Sequence, residues 1–192
     1  MRRDIATTKP IQTFMSCEKQ TEIILKKLFV ENRPYSDYLK RLLMINNKDC
    51  LDPNVAAYRT FLEQHGSLKE MIDEQYIRII PKVERGEHEE KKSYILLSFT
   101  DFTPNAVNNF FKDCTVIFDI VCPTNDWDIG NFQLRPLKIM GYIDGLLDKQ
   151  RLSGVGEFNF LGASECILDE NLSGYTVMYR SVHFSEDEEK KK

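Results

Sequence analysis

The hydrophobic periodicity of this chain changes near residue 75 from that of helices to that of strands. Up to Glu74, apolar residues recur at helical spacing between caps and polar loops, and after it short apolar runs dominate. Helices followed by grouped strands are typical of the α+β class. We therefore predict an α+β fold in which N-terminal helices precede a β-β-β-α-β-β sheet, with the long helix packed on one face of the sheet.

The helical half is predicted to begin with an arm. Residues 1–15 have no clean periodicity and Lys9-Pro10 interrupts any helix, so we expect an extended N-terminal arm there. The predicted helices cover about 17–30 with Ser16 as cap, a second segment from Pro34 with Leu39, Leu42 and Leu43 on one face, Pro53 to Leu62, and a turn after the capping box at Ser67.

The second half contains five apolar runs of strand length. Strands are predicted over Gln75–Val83, Ser93–Phe99, Cys114–Cys122, Val155–Leu161 and Gly174–Val182, with a loop over 100–112 and a helix over Arg135–Asp148. At 192 residues, the chain fits one domain better than two. We assign 16–184 to this domain, with a helical part 16–74 and a sheet part 75–184. Residues 185–192 form a charged tail that we predict to be disordered.

Charge and cysteine content exclude several classes of protein. The formal net charge of −4 argues against a dedicated nucleic-acid binder, which usually carries a positive excess. No apolar run is long enough to span a bilayer, and we expect no membrane association. Five cysteines without a CxxC pair predict a reducing compartment and no disulfide framework.

Catalytic and metal-binding patterns are weak in this sequence. The three histidines lie far apart, so no metal site and no cofactor are predicted. Asp126 and Asp128 are the best acidic pair for a small carboxylate-dependent hydrolase, although solvated loop carboxylates give the same pattern. We expect no enzymatic activity and keep the hydrolase as an alternative.

Two features point to protein contacts. Gly141 and Gly145 lie four residues apart in the predicted helix, away from its apolar stripe, and each glycine costs up to about 1 kcal/mol there. Their pairing indicates close approach by another segment or subunit, or a helix that is broken or tolerates glycine. The loop aromatics either anchor loops to the core or form an interface; the interface candidates among them are Phe110, Phe111, Trp127 and Phe132.

The second half also resembles a known family. The residues that carry the resemblance are Phe118-Asp119-Ile120-Val121-Cys122, Trp127-Asp128, Arg135-Pro136, Ile143-Asp144-Gly145-Leu146-Leu147, Gly154-Val155-Gly156, Ser164, Leu168, Asn171 and Leu172-Ser173-Gly174-Tyr175. Over roughly 75–184 the chain resembles neck and tail-completion ring proteins of tailed bacteriophages, most of all the ring proteins of crAss-like phages. The order of helices and strands resembles the tail-terminator fold.

The resemblance implies a structural, non-enzymatic role in the virion. Such proteins form closed rings of six or twelve copies, contact portal, connector or tail proteins, and let DNA pass through the lumen without specific binding. They are located in the neck or tail after assembly in the host cytoplasm. For this chain, Glu84, Glu87, Glu89 and Glu90 of a charged hairpin are the candidates to line the lumen and repel phosphate. A monomeric cytoplasmic adaptor that binds one protein remains a further alternative.

Overall fold

The computed structural model describes residues 9–79, 92–106 and 112–182. The helices are α1 (Lys9–Lys26), α2 (Tyr35–Met44), α3 (Ala56–His65), α4 (Leu68–Asp73) and α5 (Arg135–Leu147). The strands are β1 (Ile77–Arg78), β2 (Tyr94–Pro104), β3 (Lys112–Pro123), β4 (Arg151–Leu152), β5 (Gly156–Ile167) and β6 (Leu172–Val182). The α+β class and the order of N-terminal helices, strands and long helix are confirmed. The two-residue strand β4 is an addition to the predicted order.

The first helix begins earlier than the sequence predicts. We expected an extended arm over residues 1–15, but α1 starts at Lys9 and continues beyond Lys26 as a turn of π-helix. Pro10 lies in the first turn of α1, where backbone N–H groups have no acceptor within the helix, so its missing N–H costs nothing. Residues 1–8 of the predicted arm, like the tail at 185–192, lie outside the described residues.

The short helices follow their local signals. In α2, the predicted apolar residues Leu39, Leu42 and Leu43 are fully buried. The hydroxyl of Ser67 accepts a hydrogen bond from the backbone N–H of Glu70 at 3.2 Å, as a capping residue does. The predicted helix 53–62 is displaced to Ala56–His65. The reason lies before the helix, where the Asp52 carboxylate accepts the N–H of Asn54 at 2.8 Å and holds a turn.

The sheet has six strands in the order β1-β2-β3-β6-β5-β4. All neighbouring strands are antiparallel except β1 and β2, which are parallel. The predicted loop at 100–112 is wrong at its start, because β2 passes an irregularity after Thr100 and pairs again from Thr103 to Pro104. Of the predicted strand 75–83, only Ile77–Arg78 is a strand among the described residues, which stop at Ile79 and resume at Lys92.

One hydrophobic core joins the helices to the sheet. The stripe predicted on α5 is buried against β3 and β6, with Ile139, Ile143 and Leu147 fully enclosed. The hydroxyl of Tyr179 on β6 donates to the carboxylate of Asp144 at 2.9 Å and fixes α5 on the sheet. None of the described helices is long and apolar enough to cross a membrane.

Arg135 connects the start of α5 to the end of α2. Its side chain is 1% exposed, and its guanidinium donates to the carbonyls of Leu42, Ile45 and Asn47 at 2.6, 2.8 and 3.2 Å. A fourth hydrogen bond of 2.8 Å reaches the carbonyl of Asp126. Charged donors make strong hydrogen bonds in buried surroundings, so this residue holds the first turn of α5 rigidly in place.

Candidate interaction surfaces

An apolar groove runs along the outward side of α5 and the turn before it. The groove has a volume of about 520 Å³. Its lining residues, which we call the α5 groove, are Phe132, Gln133, Leu134, Leu137, Lys138, Gly141 and Tyr142. Phe132 is fully exposed, and Leu134 and Leu137 are each more than one-third exposed. Two interface candidates from the sequence, Phe132 and Gly141, therefore lie in the same surface feature.

The turn before α5 holds Phe132 away from the core. The carboxylate of Asp128 accepts the N–H of Gly130 at 2.8 Å, and the N–H of Gln133 donates to the carbonyl of Gly130 at 2.9 Å. Within this turn, Asn131 and Phe132 have φ angles of +52° and +59°. A positive φ is uncommon for a residue as bulky as Phe and costs on the order of 1–3 kcal/mol. The exposed position of this aromatic side chain therefore lowers the stability of the isolated subunit.

The two predicted glycines lie on the open side of α5. The helix is unbroken from Arg135 to Leu147, so the interpretation as a helix break is wrong. A Cβ added at Gly141 or Gly145 would meet no atom within 4 Å. No described segment of the same subunit therefore requires the glycines. Two interpretations remain: another molecule approaches the helix closely at these glycines, or the helix tolerates them without any function.

Tyrosines extend the α5 groove towards α2. The ring of Tyr142 lies 6.0 Å from that of Tyr38 and 6.2 Å from that of Tyr35, measured between centroids. Tyr35 is more than half exposed. Aromatic residues are enriched at the centres of protein interfaces, because they bury a large area while losing little side-chain entropy.

The other predicted contact residues are placed differently. Trp127 is half-buried and packs against the core, with its ring centroid 6.2 Å from that of Tyr175, so the anchoring interpretation fits this residue. Phe110 and Phe111 lie outside the described residues. The same holds for the lumen candidates Glu84, Glu87, Glu89 and Glu90, and these predictions stay predictions.

Of the acidic pair of the hydrolase alternative, Asp128 has a structural role for its carboxylate and Asp126 for its backbone carbonyl. The carboxylate of Asp128 forms a 2.8 Å ion pair with Lys48 and holds the turn at Gly130. The hydrogen bond from Lys48 is the main reason that the pKa of Asp128 is lowered, whereas a general base works best with a pKa near the working pH. The carbonyl of Asp126 accepts from Arg135. Among the described residues, no group of three His, Cys, Asp or Glu side chains could hold a metal ion.

The outer edge of β5 is a second surface, which the sequence did not predict. Among the described residues, β4 pairs with β5 only at Gly156 and Glu157. Phe158 also exchanges backbone hydrogen bonds with Lys149 and Gln150, and the N–H of Phe160 donates to the carboxylate of Asp148 at 3.0 Å. The open part of the edge therefore lies beyond Phe160, where Leu161 and Ile167 are exposed. The apolar run ends at Leu161, the last residue of the predicted strand, but in the structure β5 continues to Ile167 after a shift of register between Phe160 and Gly162. Exposed strand edges are templates for pairing with other chains.

Comparison with known proteins gives one match. The family model YomW matches residues 36–181, which include nearly all of α2 and of β6 and every helix and strand between them. No curated protein and no solved structure matches the chain. The name YomW is phage-derived, which agrees with the bacteriophage resemblance at the level of phage association. Since the match covers well over half of its length, the chain belongs to the YomW family and is a phage-associated protein.

Proposed function

We propose that this protein is a non-enzymatic structural subunit of a bacteriophage virion. It forms a ring of six or twelve copies in the neck or tail, as a head-tail connector or tail-completion protein, and DNA passes through the lumen. The observation that carries the proposal is the exposed Phe132, held at positive φ in the α5 groove. Membership of a phage-associated family and the resemblance to phage ring proteins support it.

Two surfaces that no described segment of the chain covers fit the geometry of a ring. A closed ring requires a heterologous contact, in which one surface of each subunit meets a different surface of the next. The α5 groove and the outer edge of β5 are two such surfaces on one subunit. Burial of one Phe side chain contributes roughly 1.5–3 kcal/mol, which is enough to offset the backbone cost at Phe132 once a neighbouring subunit covers its aromatic side chain.

Native mass spectrometry over a range of protein concentrations tests the proposal. We expect a closed species of six or twelve copies for the full chain, alone or with the neighbouring virion proteins added. Phe132→Asn should shift this species to monomers, because the aromatic side chain that contacts the neighbour is removed. The substitution should not disturb the turn, because Asn accepts the left-handed conformation more readily than Phe. Ile79→Asn is the matched control, since Ile79 is an exposed apolar residue outside the α5 groove.

Three results would contradict the ring. The first is a strict monomer even with the neighbouring virion proteins present. The second is a single one-to-one complex with one protein, which is the behaviour of an adaptor. The third is a hydrolytic activity that Asp128→Asn abolishes, which would favour the carboxylate-dependent enzyme.

A further inference from the structure

A basic cleft lies between α2 and α3, on a different part of the surface from the α5 groove. Its volume is about 310 Å³. Four basic side chains line it, namely Arg33, Lys40, Arg41 and Arg59, together with the acidic side chains of Asp37 and Glu63. These six residues carry a formal charge of +2, whereas the whole chain carries −4. The cleft is therefore a local concentration of positive charge in an acidic protein.

The two acids each compensate one exposed arginine. Arg33 lies 3.7 Å from Asp37, and Arg59 lies 3.3 Å from Glu63, in both cases between nitrogen and oxygen atoms. Both pairs join residues four apart in sequence. The excess positive charge consequently belongs to the other two basic residues of the cleft.

Those two residues are largely buried and form no close ion pair with a described residue. Lys40 is 7% exposed, and it makes no hydrogen bond or ion pair with a described residue. Arg41 is 8% exposed; one of its terminal nitrogens donates to the carbonyl of Asp52 at 3.0 Å, while its Nε is enclosed without any partner. A polar atom as enclosed as the Nε of Arg41 is nearly always satisfied in folded proteins, whereas the ammonium of Lys40 is not among the enclosed atoms.

Burial of these cations is costly as the subunit stands. Desolvation lowers the pKa of Lys40, with Asp37 acting in the opposite direction and Arg33 in the same one. Buried Lys and Arg are rare unless they are paired. A bound anion would supply the missing partner for the ammonium of Lys40, which lines the cleft, and would offset part of the desolvation cost; the Nε of Arg41 is enclosed and lies beyond its reach.

We propose that this cleft binds a small phosphate monoester. A monoester carries about −1.5 to −2 charges at neutral pH, which matches the excess of +2, whereas a carboxylate supplies only one. Arg and Lys are the usual ligands of phosphate oxygens. The volume lies near the lower limit of small-molecule pockets, and Pro34, Tyr38 and Leu62 provide apolar walls for a compact organic group. A DNA phosphodiester carries a single charge per phosphate and fits the excess less well.

Calorimetric titration with phenyl phosphate and phenyl sulfate tests this assignment. The two probes have similar shapes, but the sulfate ester carries one negative charge fewer. We expect phenyl phosphate to bind at least about tenfold more tightly than phenyl sulfate. Lys40→Met should weaken phenyl phosphate binding by about tenfold or more, because a charged hydrogen bond is lost. Lys69→Met is the control, since Lys69 is an exposed lysine on α4 outside the cleft.

Two variants distinguish a loss of phosphate binding from a loss of folding. Lys40→Met should unfold at the same temperature as the wild type or a higher one, because it removes an unpaired buried charge. Arg59→Met alters an exposed side chain, so it cannot disturb the core, and it should weaken binding by a smaller factor. Equal affinity in wild type and Lys40→Met would overturn the proposal. Failure of phenyl phosphate to bind at millimolar concentration would do so as well, and so would binding of duplex DNA in its place.

Discussion

Replacing Gly141 and Gly145 together by alanine should stabilise the isolated subunit. Glycine in a helix interior costs about 1 kcal/mol relative to alanine, and a Cβ at either position meets no atom within 4 Å. The double variant should therefore gain roughly 1–2 kcal/mol in free energy of unfolding. For a chain of this size, each kcal/mol raises the melting temperature by about 2–4 °C, so we expect a rise of roughly 2–8 °C.

Thermal unfolding followed by circular dichroism measures this effect. The protein should be dilute enough to be monomeric, because association shifts the apparent stability. Gly174→Ala is the opposite control, since its Cβ would lie 1.8 Å from the carbonyl oxygen of Ile120 and must disrupt the pairing of β3 with β6. A melting temperature of the double variant below that of the wild type would refute the inference that this side of α5 is open in the monomer.

Two further predictions concern the core. Arg135→Met should lower the free energy of unfolding by about 3–5 kcal/mol in urea denaturation, because four carbonyls lose a charged donor; a loss below about 1 kcal/mol would contradict this role. Burial raises the pKa of Cys122 from 9.0 to about 11, so the unfolded chain loses this proton first and stability falls between about pH 9 and 11, by up to about 3 kcal/mol. Cys122→Ala should reduce this fall relative to the wild type, and an unchanged pH profile would show that the thiol does not contribute.

Periodicity predicted those elements whose apolar faces are buried along their whole length. The stripe Ile139, Ile143 and Leu147 on α5 is an example, because helical spacing directly reflects contact with the sheet. Strand ends were harder to predict. β2 and β5 extend into polar or exposed residues such as Thr103 and Ser164, where backbone pairing continues after the core has ended. Apolar alternation marks burial, and these ends are not buried.

The candidate surfaces depend on long-range geometry that spacing does not contain. The four acceptors of Arg135 come from three positions in 42–47 and from residue 126, so no local pattern reveals the role of this residue. Phe132 was recognised as a loop aromatic, but its exposure follows from the positive φ angles of Asn131 and Phe132. Lys40 sits on a predicted helix, but spacing along the helix does not reveal that it is 7% exposed at the cleft between α2 and α3.

The outward side of α5 contains features that lower the stability of the isolated subunit and that no contact within the described part of the subunit offsets. Phe132 is strained and exposed, and two glycines weaken the helix where alanine would fit. The same side is nevertheless held firmly, since Arg135 fixes the start of α5 and the hydrogen bond from Tyr179 to Asp144 fixes its last turn. A rigid surface loses little conformational entropy when a partner binds, so more of the contact energy appears as affinity. If the glycines admit a neighbouring subunit, the alanine variant that is more stable alone should also assemble less well. Equal assembly of that variant and the wild type would leave simple tolerance as the explanation of the two glycines.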